Sequence, residues 1–574
     1  MSSLAERTST SGIVRRRGQR VFYAVGLFIL FVLGIGLAWL QINQYEDGLV
    51  RRAFIVQEAG LPPVSTLEIN LRDASENMPV LIVAHGFSAN KETMQAIGIE
   101  TARRLGMRVF LFDFPGHGFS PTRFPITKSA EESTNNLLPS LEAVYNYVRR
   151  SFPNAQIALA SHSMGTGIVA RFAIQKPDIM ATILVSPASL PDLTPDSIKN
   201  LLILVGENDI SQSLEGAQEA YEQSTATTPS PDFPADARSA KGAEVGDLKD
   251  GSARRVRVLA GQNHITILYT ADTMAEINSW LGRGLLNTDG QAVRAAILND
   301  ENGAGFRLRW TIVGIIFSVC TFFALASLLI DALNLRVILS AVPRHPSLRK
   351  SLQSAGILLL AEVGAALLWT PLKLPPQLVG LQLGSYLAGF FLVVGLLFGL
   401  WLWRDLGNQQ FGPRPADYSR SWSSVLSAKI VGWGLVPLVL FAGVYLTLGL
   451  FSAFTWESLQ FSLSRILPFL ILAVCLFPYF LTNEYIFRRM SIWGGYWLSL
   501  VSKLGVLIVL FGAVLLSPAD LGFLTILLPV LALLFTVFGL FSIWLYWLGR
   551  DFITTAVLQT LLFAWIISCF FPLI

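Results

Sequence analysis

Three side chains in the first half of this sequence have the types and settings for acyl-transfer chemistry. Ser163 stands at the centre of Ser161-His-Ser-Met-Gly165, between an apolar run at 156–160 and an amphipathic stretch at 166–175. Strand, sharp turn, then helix is the setting in which a small-x-Ser-x-Gly motif lifts a hydroxyl above a sheet, because small flanking residues let the backbone fold tightly. The first position is Ser161 rather than the commoner glycine. A helix starting at the turn aims backbone N–H groups at developing negative charge. A serine hydroxyl is a poor nucleophile near neutral pH and needs a base placed to take its proton. His264, in Gly261-Gln-Asn-His264 just past the run 256–260, is the candidate base. Asp209, closing Leu204-Val-Gly-Glu-Asn-Asp209, is the candidate acid that would hold the imidazole tautomer. Glu207 is the second choice for the acid, and capping a helix at 211–224 is the competing role for Asp209.

The elements that must position these groups are legible as alternation. Short apolar runs at 80–83, 109–112, 157–160, 183–186, 201–205 and 256–260 are separated by helix-length segments such as 92–105. That pattern predicts right-handed crossovers and a mainly parallel sheet flanked by helices over residues 51–287. Residues 225–253, rich in Pro, Ala, Ser, Asp and Gly, have no periodicity and are expected as a flexible surface insertion.

With these motifs in place, residues 62–284 resemble the α/β-hydrolase family. Nucleophile, acid and base arrive in that family's order, Ser163, Asp209, His264. His85-Gly-Phe87 ends the first apolar run, and the resemblance implies that the Phe87 backbone N–H is one oxyanion donor and the Met164 N–H the other. Asp113-Phe-Pro-Gly-His-Gly-Phe-Ser120 resembles the family's turn after the next strand, which implies a structural place for His117. About 15 residues separate the runs ending at Ser186 and starting at Leu201, too few for the cap domain of lidded relatives, so an open cleft is expected.

The rest of the chain is apolar. Of 574 residues 52% are hydrophobic and 14% charged, against about 25% charged in soluble proteins. After a basic tail at 1–20, residues 21–40 carry no charge and are long enough for an anchor; a cleaved signal peptide fits less well, since no clean small-x-small site follows. A polar linker at 288–309 leads to a membrane domain at 310–574. Eight apolar runs are expected there, at 310–331, 354–371, 378–402, 428–452, 466–482, 495–516, 521–547 and 552–572. Arg336, Arg344, Arg349, Lys350, Arg404, Arg414, Arg420, Arg488, Arg489 and Arg550 fall in alternate loops, opposed by Lys373 alone. That bias predicts a cytoplasmic N-terminus and an extracytoplasmic hydrolase domain in the cytoplasmic membrane. Arg307 and Arg309 run against it. Glu362 and Lys503 lie inside apolar runs and are expected to pair or to mark a polar path. Gly380, Gly384, Gly395 and Gly399 have small-xxx-small spacing, suited to close helix packing. Glu484-Tyr-Ile-Phe-Arg488 faintly resembles the first motif of the CAAX-protease-like membrane family, but no histidine follows His345, so a charge pair closing a loop is expected instead.

Other classes are excluded. A formal charge of +4 leaves no nucleic-acid footprint. Cys320, Cys475 and Cys569 sit in apolar runs, no HExxH or paired-histidine arrangement exists, and no GxGxxG follows the first strand, so neither metal nor cofactor is expected. The sequence therefore predicts a membrane-bound serine hydrolase acting on a lipid-like or other carboxylic ester, with membrane lipid as its surroundings. The competing readings are a serine peptidase or acyltransferase on the same triad, and a non-catalytic binding domain on a transporter or lipid-handling bundle.

Overall fold

The computed structural model describes residues 2–126, 130–226, 237–238, 243–300, 303–333, 335, 348–372, 375–408, 430–488, 492–517, 521, 524–549 and 551–574. The chain divides into two compact units. One comprises residues 37–313, 452–460 and 572–574, the other residues 1–36, 314–451 and 461–571.

The first unit is built on a nine-stranded sheet of β1 (Leu49–Val56), β2 (Val64–Leu71), β3 (Val80–Ala84), β4 (Arg108–Phe112), β5 (Ile157–His162), β6 (Ile179–Val185), β7 (Leu201–Gly206), β8 (Ala243–Val245) and β9 (Arg254–Leu259). Their order across the sheet is β1-β2-β4-β3-β5-β6-β7-β9-β8. The six strands from β4 to β9 are mutually parallel, while β1, β2 and β8 join antiparallel at the edges. Strands such as β3 (VLIVA) and β7 (LLILVG) are apolar at nearly every position because both their faces are covered. Val80, Ile82 and Ala84 enter the core on one face, Leu81 and Val83 that on the other.

The helices that follow α1 (Ser2–Tyr45) supply the two covers. α2 (Gln95–Leu105) contributes Ile97, Ile99 and Ala102 to one core. α3 (Ala130–Ser151), α4 (Met164–Gln175) and α5 (Ser211–Thr225) contribute Leu141, Ile168 and Ala217 to the other. α6 (Ala271–Leu285) and α7 (Gly290–Leu298) then pack with α2, led by the buried Trp280. α2 stops at Gly106, whose φ of +66° closes the helix in a left-handed cap.

Several expectations need correction here. The sheet has two strands, β1 and β2, that the alternation did not reveal. Of the expected insertion at 225–253, residues 227–236 and 239–242 lie outside the described residues, but Ala243–Val245 form edge strand β8, where Glu244 pairs with Arg255 and Arg283. The expected linker at 288–309 contains α7, capped by the Asp289 side chain on Gln291 N–H. Arg307 is no misplaced surface cation: it is buried, bonded to Glu46 Oε1 at 2.9 Å and to the Thr455 carbonyl at 2.7 Å.

The second unit is helical. Among the described residues nine helices are long and apolar enough to cross a membrane. They are α1, α8 (Ala304–Ala332), α9 (Leu348–Trp369), α10 (Gly384–Asn408), the mixed π/α helix α11 (Val431–Thr455), α12 (Leu463–Phe487), α13 (Ile492–Leu516), α14 (Leu524–Gly549) and α15 (Phe552–Phe570). A Cβ on Gly395 would lie 2.5 Å from the Tyr479 nitrogen, so this glycine lets α10 and α12 touch backbone to backbone. Gly380, at φ +76°, lies in a turn before α10. Glu484 and Arg488 do pair, Nε to Oε2 at 2.6 Å. They close no loop, however, for Ser542 and Gln559 complete the Glu484 shell inside the bundle. Of the loop cations that set the expected orientation, Arg336, Arg344, Arg414, Arg420, Arg489 and Arg550 lie outside the described residues, as does Lys373.

Asn200 ties three elements together. Its Nδ2 donates to the Met180 carbonyl at 2.9 Å and the Leu248 carbonyl at 3.0 Å, and its own carbonyl accepts the Trp280 indole N–H at 3.0 Å. Asn200→Ala should cost on the order of 2–3 kcal/mol for two buried bonds left unmade. Faster hydrogen exchange at 201–204, with the bundle unchanged, is the expected readout.

Candidate active site

The strands of the parallel sheet end at one rim, and four of those ends carry the residues singled out by sequence. The loop after β3 bears Phe87, the turn after β5 Ser163, the segment after β7 Asp209 and that after β9 His264. The chain reverses its direction of growth between β3 and β5, and crevices beyond the carboxyl ends of strands at such a switch are where α/β sheets bind ligands.

Ser163 sits at φ +51°, ψ −124°, a backbone conformation costly for a residue with a Cβ. The turn holds because its surroundings have no side chain. A Cβ on Gly165 would lie 2.6 Å from the His85 carbonyl oxygen, and one on Gly86 would lie 2.9 Å from Ser163 Cβ. α4 begins at Met164, whose N–H belongs to the first turn and has no carbonyl within the helix to bond.

The structure brings Ser163, His264 and Asp209 into one hydrogen-bonded chain. Ser163 Oγ is 2.9 Å from His264 Nε2, and His264 Nδ1 is 2.7 Å from Asp209 Oδ1. The Asp209 carboxylate is buried and accepts two further bonds, from Ser186 Oγ at 2.5 Å and the Ile210 N–H at 2.8 Å. Burial pushes this carboxyl up, but the bond to His264 and its charge, followed by Ser186 and Ile210, hold it below the usual aspartate range. Asp209 is not the cap of α5, where Ile210 occupies the cap position. Glu207 faces away from this chain, accepting the Gly261 N–H at 3.0 Å and pairing with Arg238.

The other histidines among the described residues, His85, His117 and His162, are held by backbone groups. The His85 ring accepts the Phe114 N–H at 3.0 Å through Nε2 and bonds the Gly86 carbonyl through Nδ1 at 2.7 Å. His117 Nε2 accepts the Ser88 N–H at 3.3 Å. His162 Nε2 donates to the His264 backbone carbonyl at 2.8 Å, so a second histidine fixes where the candidate base stands. Sequence reasoning missed that contact, and with it Ser186 and Lys91. Buried Lys91 bonds Asp113 Oδ2 at 2.7 Å, and Asp113 also accepts the Lys91 and Phe119 N–H groups. This clasp ties the loop after β3 to the turn after β4.

That turn has a partner from far along the chain. Residues 572–574, which follow the last apolar helix in sequence, lie along it: Leu573 N–H donates to the Gly116 carbonyl at 2.8 Å, and Phe124 N–H donates to the Leu573 carbonyl at 2.7 Å. Arg123 adds a bond to the Ile574 carbonyl at 3.0 Å. Phe124 packs edge-on against Phe87 and His117, and Ile574 joins the apolar cluster that includes Phe87 and Met164. Similarly, Asn90 exchanges two hydrogen bonds with Ser458, at 3.2 and 3.3 Å. No group of three or more metal-ligating side chains occurs among the described residues.

Residues 75–208 match the model of the family described as serine aminopeptidase, S33. The chain is similar to the sn-1-specific diacylglycerol lipase ABHD11 of Mus musculus, 28% identical over 142 residues, 25% of this chain and 42% of that protein. It is also similar to a probable alcohol acetyltransferase of Saccharomyces cerevisiae, 24% identical over 183 residues, 30% of this chain and 50% of that protein. The chain thus spans half or less of the length of these relatives. Among solved structures, a predicted CIB-like hydrolase of Thermoplasma acidophilum aligns with a TM-score of 0.30 and 17% identity, over 42% of this chain and all of the other.

Two outcomes follow from this geometry. Burial holds His85 down at about 4 and, with His264 alongside, His162 at about 3, against an ordinary 6.5. The unfolded chain takes up protons near 6.5 while the native imidazoles stay neutral, so stability is full above 6.5 and falls as the pH drops towards 4. His85 alone should contribute a loss on the order of 3 kcal/mol. Amide protection in β3 and β5, corrected for intrinsic exchange, should decline from pH 7 to 4.5; a flat profile would contradict the assignment. Leu573→Pro removes the donor to Gly116 and should slow reaction of Ser163 with a fluorophosphonate several-fold, with the circular dichroism unchanged.

Proposed function

We propose that this chain, an α/β hydrolase joined to a domain of membrane-length apolar helices, is a membrane-bound serine hydrolase that cleaves a carboxylic ester through an acyl-enzyme. The observation that carries this reading is the continuous chain from Ser163 Oγ through His264 to the buried Asp209 carboxylate. Its elements suffice for the reaction. His264 Nε2 takes the Ser163 proton as Oγ attacks the ester carbonyl, and Asp209 keeps the proton on Nδ1 and stabilises the imidazolium. The Phe87 and Met164 N–H groups, on the loop after β3 and the first turn of α4, receive the negative oxygen of the tetrahedral intermediate; one such donor is worth about 2.7–4 kcal/mol. His264 then protonates the departing alcohol, and water, deprotonated by the same imidazole, releases the acid.

A lipid-like ester is the substrate class best supported. Apolar Phe87, Met164 and Phe124 belong to one cluster, Met164 being the residue after Ser163, the segment 186–200 has no helix to form a cap, and one relative is named a diacylglycerol lipase. The excess of Lys and Arg in alternate loops supports an extracytoplasmic hydrolase domain in the cytoplasmic membrane. A second reading, transfer of the acyl group to an alcohol instead of water, draws on the relative named an alcohol acetyltransferase.

A fluorophosphonate probe should label the full-length protein at Ser163, and Ser163→Ala should abolish both labelling and ester cleavage. Asp209→Asn should lower turnover by about 10⁴ with the fold retained. A panel of esters of rising chain length, with and without added alcohol, separates hydrolysis from transfer by its products. A folded wild type that neither labels nor turns over any ester would overturn the proposal.

A further inference from the structure

The helical unit contains a carboxyl group with nothing to bind. Glu362, on α9, is fully buried, and among the described residues neither carboxylate oxygen has a hydrogen-bond partner. Lys503, the expected partner, is engaged elsewhere: its Nζ donates to Gln559 Oε1 at 3.1 Å, and Gln559 in turn donates to Glu484. No ion pair joins Glu362 to Lys503, so that expectation is corrected.

Other orphaned oxygens lie around the same carboxyl. A Cβ on Gly505 of α13 would lie 3.5 Å from Glu362 Oε2, so α13 passes the carboxyl with its bare backbone. Ser502, three residues earlier and therefore on the same face of α13, has a buried hydroxyl without a partner. Tyr479 of α12, fully buried, also has an unpartnered hydroxyl, and it lies within electrostatic reach of Glu362. The helices α9, α12 and α13 pack against one another. The Glu362 carboxyl, the Tyr479 hydroxyl and the Ser502 hydroxyl thus lie on three mutually packed helices, and among the described residues no cation pairs with Glu362.

Such a group is costly unless something neutralises it. Oxygen-only donors select hard cations rather than the transition metals that prefer nitrogen or sulfur. A single carboxylate is neutralised by one positive charge, whereas a divalent ion would leave an excess in hydrocarbon. We infer that Glu362, with the Tyr479 and Ser502 hydroxyls, forms a binding site for a monovalent alkali cation that competes with a proton for the Glu362 carboxyl. This would give the helical unit an ion-dependent role of its own, separate from Ser163.

Dicyclohexylcarbodiimide, an apolar reagent that modifies protonated carboxyls in membrane interiors, tests it on the full-length protein in neutral detergent. Peptide mass spectrometry should find Glu362 labelled in choline chloride at pH 6.5. At equal ionic strength NaCl should suppress that labelling at least ten-fold, with LiCl and KCl ranking the site's size preference. Tyr479→Phe, which keeps the ring, should weaken the sodium protection several-fold, and Glu362→Gln should abolish labelling while eluting as the wild type does. Equal labelling of Glu362 in sodium and choline would leave a proton-only site and overturn the cation assignment. Absence of labelling at Glu362 in both salts would overturn it too.

Discussion

The candidate site depends on one close approach, that of the loop after β3 to the turn after β5. Ser163 can hold a left-handed backbone and stand clear of the sheet only where the chain passing beside it brings no Cβ. Gly86 meets that condition beside Ser163, and Gly165 meets it against the His85 carbonyl. Phe87 directly follows Gly86 on that loop, so the positions of Ser163 and Phe87 share a single steric constraint. A methyl group at either glycine would displace both at once.

Around that contact the sheet-bearing unit is tied by bonds that cross the sheet's rim. Ser186 bonds Asp209, His162 bonds the His264 carbonyl, and Lys91 with Asp113 joins two adjacent loops. Each bond links chain ends of different strands, so rigidity at the rim comes from lateral ties rather than from any one loop. The neutral state of His85 and His162 belongs to this design, since burial penalises a proton on either ring by more than the nearby Asp113 and Asp209 carboxylates favour it.

How much of this could be read from the sequence follows the range of the forces involved. The elbow at Ser163, the apolar parallel strands and the chain order of acid and base are local patterns of spacing and hydropathy, and they could be read directly. The edge strand β1 could not: LVRRAFIV carries charges and alternates only loosely, because its outer edge is half-exposed. Ser186, His162 and Lys91 were invisible for another reason: a lone serine, histidine or lysine acquires its role only from a partner 20 or more residues away. The helical unit shows the same limit. Glu362 and Lys503 are conspicuous in sequence, but which charge meets which amide is set by helix rotation, and spacing within one helix says nothing of that.

The strand-like pairing of Leu573 with Gly116 and Phe124 also has a temporal side. Residues 114–124 leave the ribosome early, whereas their partner is made only after all the apolar helices have been synthesised. At ordinary elongation rates of 5–20 residues per second the wait after His264 is roughly 15–60 s. Throughout it the turn lacks two of its backbone bonds. Late closure of this kind makes completion of the sheet-bearing unit wait for synthesis of the helical one.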